Sequence, residues 1–416
     1  MKMNRKQLRI ILAVTFGNIL EWYQAYAYIY LAPVLAKLFF NFHSKNADLL
    51  LAFVIFGIGF ITRPIGGFIF GRWGDLLGRK SAFVWSIVII TIPTFLMGSL
   101  PTYEAWGIWA AISLLGLRLV QSISECGDAP GSFCFLYENA TQGNTKFMTS
   151  WGSVGNQIGA LIAIFEALFL DQYMSESFLL AWGWRIMFWV GSGLGLFGLL
   201  LRETLDETPT FKNLVKHHHV DAEKFISIIK KYKGPIFLGT SYGAINAVTF
   251  YLIATFLPSY FHETSGLDDH VNALVSITIL LFSTILLPIF GYFGEKYSIK
   301  LMMIWSAISI IFLTAIMYCL MYFNHIYIFL AVTYLYIIPI TCISAFIPIL
   351  LLHLFIAPVR FTGVGIAFNL ADGVIGGFTP AIAITLALYT KIPSNFLIFV
   401  FLCSLISLIA YFKIRD

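Results

Sequence analysis

Seven ionisable side chains stand deep inside long apolar runs: Glu21, Arg63, Arg118, Glu125, Asp128, Glu166 and Asp372. A charge in an apolar medium is costly, so each of these residues needs a partner or a task. A guanidinium stays charged and can clamp a carboxylate through two parallel hydrogen bonds. Arg63 and Arg118 are therefore candidate anion ligands. The competing reading is that each neutralises a nearby acid and ties two helices together. Glu21 and Asp128 are candidate proton carriers, because burial and a neighbouring arginine act on a carboxyl in opposite senses. Glu125 lies three residues before Asp128, on the same helical face. The two acids could share one proton, or each could pair with its own arginine.

Aromatic and amide side chains accompany these charges. Trp22, Tyr23, Tyr26, Tyr28 and Tyr30 crowd one segment, and ring faces attract ammonium groups. Gln24, Gln121, Asn156, Tyr242, Asn246 and Asn369 are further candidates for lining a polar site, with interhelical hydrogen bonding as the alternative role. Acids, arginines and rings together suit a zwitterion, its carboxylate on arginine and its cation on rings or an acid.

The apolar runs must position these groups. The chain has 416 residues, 59% hydrophobic and 11% charged, and a mean hydropathy of +0.84. A soluble domain carries about 25% charged residues, so this chain uses lipid as its solvent. Its net charge of +5 is a membrane-topology bias rather than a nucleic-acid footprint. Cys126, Cys134, Cys319, Cys342 and Cys403 all fall in apolar runs without a CxxC pair, so neither disulfides nor a metal site is expected. His217–His219 read as a solvated loop. No cofactor other than a coupling ion is implied, nothing resembles a nucleophile triad or a phosphate-binding loop, and no cleavable signal peptide is expected.

A spanning helix needs about 20 apolar residues. Twelve such runs are read at 10–38, 48–71, 81–100, 107–137, 147–170, 182–201, 234–260, 270–292, 299–321, 325–354, 360–388 and 393–412. The fourth and tenth are long enough to require tilt or a kink. With both termini inside, 20 of the 26 Lys and Arg residues fall in cytoplasmic segments and 4 outside, which sets the expected orientation. The fold class expected is an all-α membrane protein. It has an N-terminal six-helix bundle over 1–201, a cytoplasmic linker over 202–233 with short amphipathic helices, and a C-terminal six-helix bundle over 234–416.

Between the second and third runs lies Gly71-x-x-Gly74-Asp75-x-x-Gly78-Arg79-Lys80, a charged turn squeezed between membrane-length helices. Gly291-x-x-Gly294-Glu295-x-x-Ser298-Ile299-Lys300 echoes it between the second and third runs of the other half. Matched loops and a six-plus-six arrangement predict two pseudo-symmetric bundles with substrate between them near the bilayer midplane.

That loop resembles the one between the second and third helices of major facilitator transporters. Four further stretches resemble its metabolite:proton symporter branch, which includes the proline/glycine-betaine and α-ketoglutarate permeases. They are Gly17-Asn18 with Glu21-Trp22-Tyr23; Arg118 and Gln121 through Gly127-Asp128; Trp182-Gly183-Trp184-Arg185; and Pro358-Val359-Arg360 with Gly363, Asn369, Gly376-Gly377 and Pro380. Gln24 stands where the branch usually has Asp, Cys126-Gly127-Asp128 where it has Gly-Gly-Glu, and Thr145 and Lys146 near its usual Arg. These departures point to a substrate different from that of the well-known members.

The resemblance implies a proton-coupled importer of a small zwitterion, an amino acid or a betaine, working by alternating access. A symporter of mono- or dicarboxylates is the alternative, and a non-transporting solute receptor is a third reading. It also implies that Asp75, Arg79, Gly71, Gly74, Gly78 and Glu138 gate the cytoplasmic side. The expected setting is a bacterial inner membrane, with a small-molecule substrate, the lipid bilayer as surroundings, no nucleic acid, and a monomeric working unit.

Overall fold

The computed structural model describes residues 3–40, 45–218, 225–257, 269–322, 326–390 and 392–414. His219, Asp221, Glu223 and Lys224 of the linker, and the last residues of the expected seventh span, lie outside the described residues.

Twelve long helices are formed among the described residues. In the first half they are α1 (Arg5–Phe39), α2 (Lys45–Leu77), α3 (Arg79–Gly98), α4 (Ile108–Glu138), α5 (Thr145–Tyr173) and α6 (Trp184–Glu203). The second half has α7 (Phe225–Tyr251), α8 (Asp269–Lys296), α9 (Ile299–Tyr322) and α10 (Ile326–His353). It closes with α11, a continuous span made of Arg360–Asn369, a π-helical stretch Leu370–Gly376 and Gly377–Thr390, and with α12 (Phe396–Tyr411). Each expected span corresponds to one of these helices. Several extend beyond the apolar run at an end, because a helix keeps its own hydrogen bonds after its side chains turn polar.

Among the described residues, seven helices are long and apolar enough to cross a membrane by length and composition alone; α1, α2 and α4, the carriers of Glu21, Arg63 and the Arg118–Asp128 group, are not among the seven. Their charges point inward while apolar side chains such as Trp85, Phe95, Trp109, Phe169, Phe237, Trp305 and Phe312 are exposed around the outside. That is the arrangement a lipid solvent selects. Prolines lie inside several spans, including Pro33, Pro64, Pro130 and Pro348, where neighbouring helices can compensate for the lost backbone bond.

The two most extensive packings between the halves among the described residues are α2 against α11, and α5 against α8. They are equivalent under exchange of the halves. At the first crossing the backbones nearly touch, since a Cβ on Gly67 would sit 2.7 Å from the Gly365 carbonyl oxygen. The linker contains a helix, Pro209–Lys216, started by Thr208 Oγ1, which accepts from Phe211 N. A kink at Tyr232 separates a basic first part of α7 from the span proper. The expected boundary at residue 201 falls inside α6, which continues to Glu203, and Arg202 is fully buried instead of belonging to the linker.

Candidate functional site

The buried charges of α1, α2, α4 and α11 meet where the two halves face each other. Arg63 on α2 is the hub. Its Nη1 lies 2.6 Å from Asp372 Oδ2 on α11, and its Nη2 lies 3.3 Å from Glu125 Oε2 on α4. Arg118, two turns before Glu125, donates from Nη1 to Glu125 Oε1 at 3.0 Å and to Gln121 Oε1 at 2.5 Å. The Arg118 guanidinium also sits 5.4 Å from the Tyr28 ring centre. Glu21 on α1 lies within electrostatic reach of Asp128, Glu125, Arg63 and Asp372. Its Oε2 is buried without a hydrogen-bond partner among the described residues.

Amides support this cluster. Gln24 donates from Nε2 to Glu125 Oε1 at 3.3 Å and accepts from Thr94 Oγ1 at 2.7 Å. Gln121 Nε2 donates to Gln24 Oε1 and, at 2.9 Å, to Thr94 Oγ1. A carboxylate in place of Gln24 could not donate to Glu125 and would repel it. The neutral amide at this position is therefore built into the network. In charge terms the cluster sets two guanidinium groups, Arg63 and Arg118, against three carboxylates, Glu21, Glu125 and Asp372.

Asp128, a charged neighbour of Glu21, has a different arginine. Arg202 of α6 reaches back to grip both of its oxygens, Nη1 on Oδ1 and Nη2 on Oδ2 at 3.0 Å. Ser86 Oγ donates to Oδ1 at 2.9 Å, Arg202 Nη1 also donates to the Phe83 carbonyl at 2.7 Å, and the guanidinium lies 3.4 Å from the Phe83 ring centre. A Cβ on Gly17 would overlap that guanidinium, so α1 must be bare there for the arginine to pass. Of the two arrangements open from sequence, the structure shows the acids on separate arginines, Glu125 on Arg63 and Arg118, and Asp128 on Arg202. The arginine of Asp128 was not among the expected site residues. Its signal was an Arg at the end of an apolar run, in a half whose six runs hold four acids deep inside them, Glu21, Glu125, Asp128 and Glu166, against two arginines, Arg63 and Arg118.

Aromatic residues of α1 and α7 pack on one another. Trp22 on α1 meets Phe250 on α7 edge-on at 4.9 Å and lies 6.5 Å from the Tyr26 ring. Its indole Nε1 is buried without a hydrogen-bond partner among the described residues, as is Asn156 Oδ1 on α5. Asn369 on α11 crosses between the halves, donating to the Cys126 carbonyl of α4 at 3.0 Å. Asn246 accepts from Ser344 on α10. Tyr242 instead packs within the second half, its ring 5.8 Å from Tyr411 of α12, and Glu166 accepts from Tyr23. The structure does not bring those two to the charge cluster.

At the face carrying the linker, the charged turn closes onto α11. Asp75 accepts from Phe361 N at 3.2 Å, Thr362 N at 2.9 Å and Thr362 Oγ1 at 2.6 Å, so it caps the positive end of that helix. Arg79 lies 3.2 Å from Asp75 and 3.5 Å from Glu138, and donates to the Ala357 carbonyl at 2.6 Å. Arg360 holds the other oxygen of Glu138 at 3.1 Å. Gly71 and Gly74 allow the approach, since side chains there would press on Thr362 and Phe361, while Gly78 turns the chain at a φ of 113°. From the linker, Glu207 caps the start of α3 through Lys80 N at 3.1 Å, and Thr208 Oγ1 donates to Glu138 at 2.7 Å. Burial raises the Glu207 carboxyl above its ordinary range, against the opposing pull of its backbone hydrogen bonds.

The echo does the same on the other side. Glu295 accepts from Lys146 N at 2.5 Å and Phe147 N at 3.2 Å, capping the start of α5, while Lys146 Nζ donates to the Gly294 carbonyl at 2.6 Å. Each half thus places one acid on the first turn of the fifth helix of the other half.

A family model described as Major Facilitator Superfamily matches residues 14–380. The chain is 29% identical over 388 residues to a proline/betaine transporter of Escherichia coli K12, covering 91% of this chain and 77% of that protein. It is also 29% identical over 405 residues to a citrate-proton symporter of Klebsiella pneumoniae, covering 95% and 90%. The fold matches that of the proton:xylose symporter XylE bound to 6-bromo-6-deoxy-D-glucose with a TM-score of 0.83 at 16% identity, over 98% of this chain and 94% of that one.

Proposed function

The chain belongs to the Major Facilitator Superfamily, a family of multi-pass membrane transporters, and within it we propose a proton-coupled importer of a small zwitterion, an amino acid or a betaine, that works by alternating access. The observation that carries this reading is the charge imbalance between the halves. Two arginines face three carboxylates, so the cluster holds one net negative charge when every group is ionised. One proton makes it neutral. A low-dielectric site favours that state over an uncompensated charge. Glu21 has an oxygen without a hydrogen-bond partner among the described residues, and we assign it the proton. Glu125 is committed to both arginines, and Asp128 is committed to Arg202, where it holds α4, α3 and α6 together.

The rest of the site fits a solute with an anionic and a cationic end. Arg63 and Arg118 offer donors to a carboxylate. Trp22, Tyr26 and Phe250 offer ring faces to a methylammonium or secondary amine. Trp22 Nε1 and Asn156 supply polar atoms with unused capacity. Tyr242 and Asn246 support the second half from within it.

We assign to the two acid caps, Asp75 on α11 and Glu295 on α5, the role of holding the linker face shut, which their hydrogen bonds across the halves support. Opening to that side requires both to let go, so Asp75, Arg79 and Glu138 act on the conformational equilibrium rather than on specificity. We place the termini, the linker and these caps on the cytoplasmic side, with bundles meeting at the segment after Glu203.

The test is uptake into proteoliposomes with an inside-alkaline gradient, offering labelled proline, glycine betaine and citrate. Accumulation of a zwitterion that a protonophore abolishes supports the reading. Glu21→Gln should then retain exchange of labelled for unlabelled solute and lose gradient-driven accumulation. Accumulation of citrate alone would favour the carboxylate reading, to which the two arginines and the Klebsiella pneumoniae relative lend weight.

A further inference from the structure

One contact in the cluster has a different character from the others. Arg63 and Asp372 belong to opposite halves, and at 2.6 Å their bond is shorter than that of Arg360 with Glu138, which joins the halves at the linker face at 3.1 Å. Both side chains are almost completely buried. Asp372 sits in the π-helical stretch Leu370–Gly376, where the wider turn shifts a side chain off the regular helical face, a device found often at functional sites. Next to it, Gly373 leaves room for the stem of Arg63; a Cβ there would lie 2.9 Å from both Cβ and Cδ of the arginine. The groups facing Asp372 are Arg63 from α2, Glu125 from α4, Glu21 from α1 and Tyr251 from α7.

We infer that this ion pair is the substrate site in its resting form: Asp372 occupies the arginine that the solute carboxylate takes, and once displaced it becomes the ligand of the solute cation. This deepens the zwitterion reading above and rests on it. Parting Arg63 from Asp372 takes from Asp372 its arginine and leaves Arg63 facing Glu125, so the buried aspartate charge is no longer compensated. A zwitterion inserted between them gives each a new partner, with its carboxylate on Arg63 and its cation on Asp372, and the net charge does not change. A bare carboxylate satisfies Arg63 and leaves Asp372 uncompensated. The pair therefore selects against simple anions, which a site made only of arginines and rings would not do. Because the two residues come from opposite halves, a bound zwitterion also bridges them, as the resting ion pair does.

Glycine betaine and 3,3-dimethylbutyrate provide the test. They have the same shape and carboxylate, and differ in a quaternary nitrogen against a carbon. Binding to the full-length protein in nanodiscs is measured for both. Wild type is expected to prefer glycine betaine by roughly 100-fold, as loss of one buried charge partner implies. Asp372→Asn should remove most of that preference, chiefly by tighter binding of the carbon isostere, which no longer competes with a carboxylate for Arg63. Asp372→Glu should keep it. If Asp372→Asn does not fold, the charge-neutral pair Arg63→Gln with Asp372→Asn serves in its place and should bind the two compounds alike.

A wild-type preference that survives in Asp372→Asn, or in the neutral pair, overturns the inference and leaves the zwitterion reading standing. Equal binding of both compounds by the wild type removes the zwitterion reading and the inference together.

Discussion

Asp75→Asn offers a quantitative check on the way the linker face is held shut. The aspartate accepts two backbone N–H groups and one hydroxyl at the first turn of α11 and lies 3.2 Å from Arg79. Asparagine keeps one acceptor oxygen and loses the charge. A charge at a helix N-terminus in a partly buried setting contributes up to about 2 kcal/mol, and a hydrogen bond to a charged group exceeds a neutral one by about 1 kcal/mol. The closed state should therefore lose about 2–3 kcal/mol, which is roughly a 30- to 150-fold shift toward opening at that face. Spin labels at Leu77→Cys and Ile356→Cys, both exposed and in opposite halves, would report the distance by pulsed electron resonance in nanodiscs, with Cys319, the exposed native thiol, replaced. The long-distance population should rise in Asp75→Asn. Glu295→Gln, at the equivalent place on α5, should produce a shift of similar size, and the two together a larger one. Solute preference should not change. An unaltered distance distribution in both single variants would refute the idea that these caps hold the halves together.

Two further outcomes follow from the structure. Removing one member of the buried Asp128–Arg202 pair, by Asp128→Asn or Arg202→Met, should destabilise the protein by about 3–5 kcal/mol because the other charge is left unpaired. The double variant should recover much of that loss in detergent unfolding experiments, and singles indistinguishable from wild type would contradict the assigned role. The Glu207 carboxyl is raised by burial above its unfolded value. Its contribution to stability is therefore present at acid pH and is lost as pH rises through the folded value. Thermal unfolding across that range should show the decline in wild type and a flatter profile in Glu207→Gln.

The spans were legible from sequence because the bilayer leaves a chain few options: about 20 apolar residues must form a helix. The turn at Gly71–Lys80 and its echo at Gly291–Lys300 were legible for a related reason, since charge and glycine between two spans can only sit at a membrane face. Residue types alone also singled out Glu21, Arg63, Arg118 and Glu125. What sequence could not supply was pairing. Arg63 and Asp372 are 309 residues apart, and only the α2–α11 crossing, made close by Gly67 and Gly365, brings them together. Arg202 was assigned to the linker because the apolar run ends at Leu201, yet its long side chain reaches back past Gly17 into the bundle. Tyr242 carries the same phenol as Tyr26, but its helical face points into the second half. The π-helical stretch under Asp372 has no signal in local propensity.

The central claim is that solute and proton enter together. It is tested most directly by following external pH in a lightly buffered suspension of proteoliposomes, without an imposed gradient, as glycine betaine or proline is added. The account expects alkalinisation of the medium that tracks entry of labelled solute, is abolished by a protonophore, and is absent in Glu21→Gln. Entry of labelled solute in the wild type with no change in external pH would contradict it.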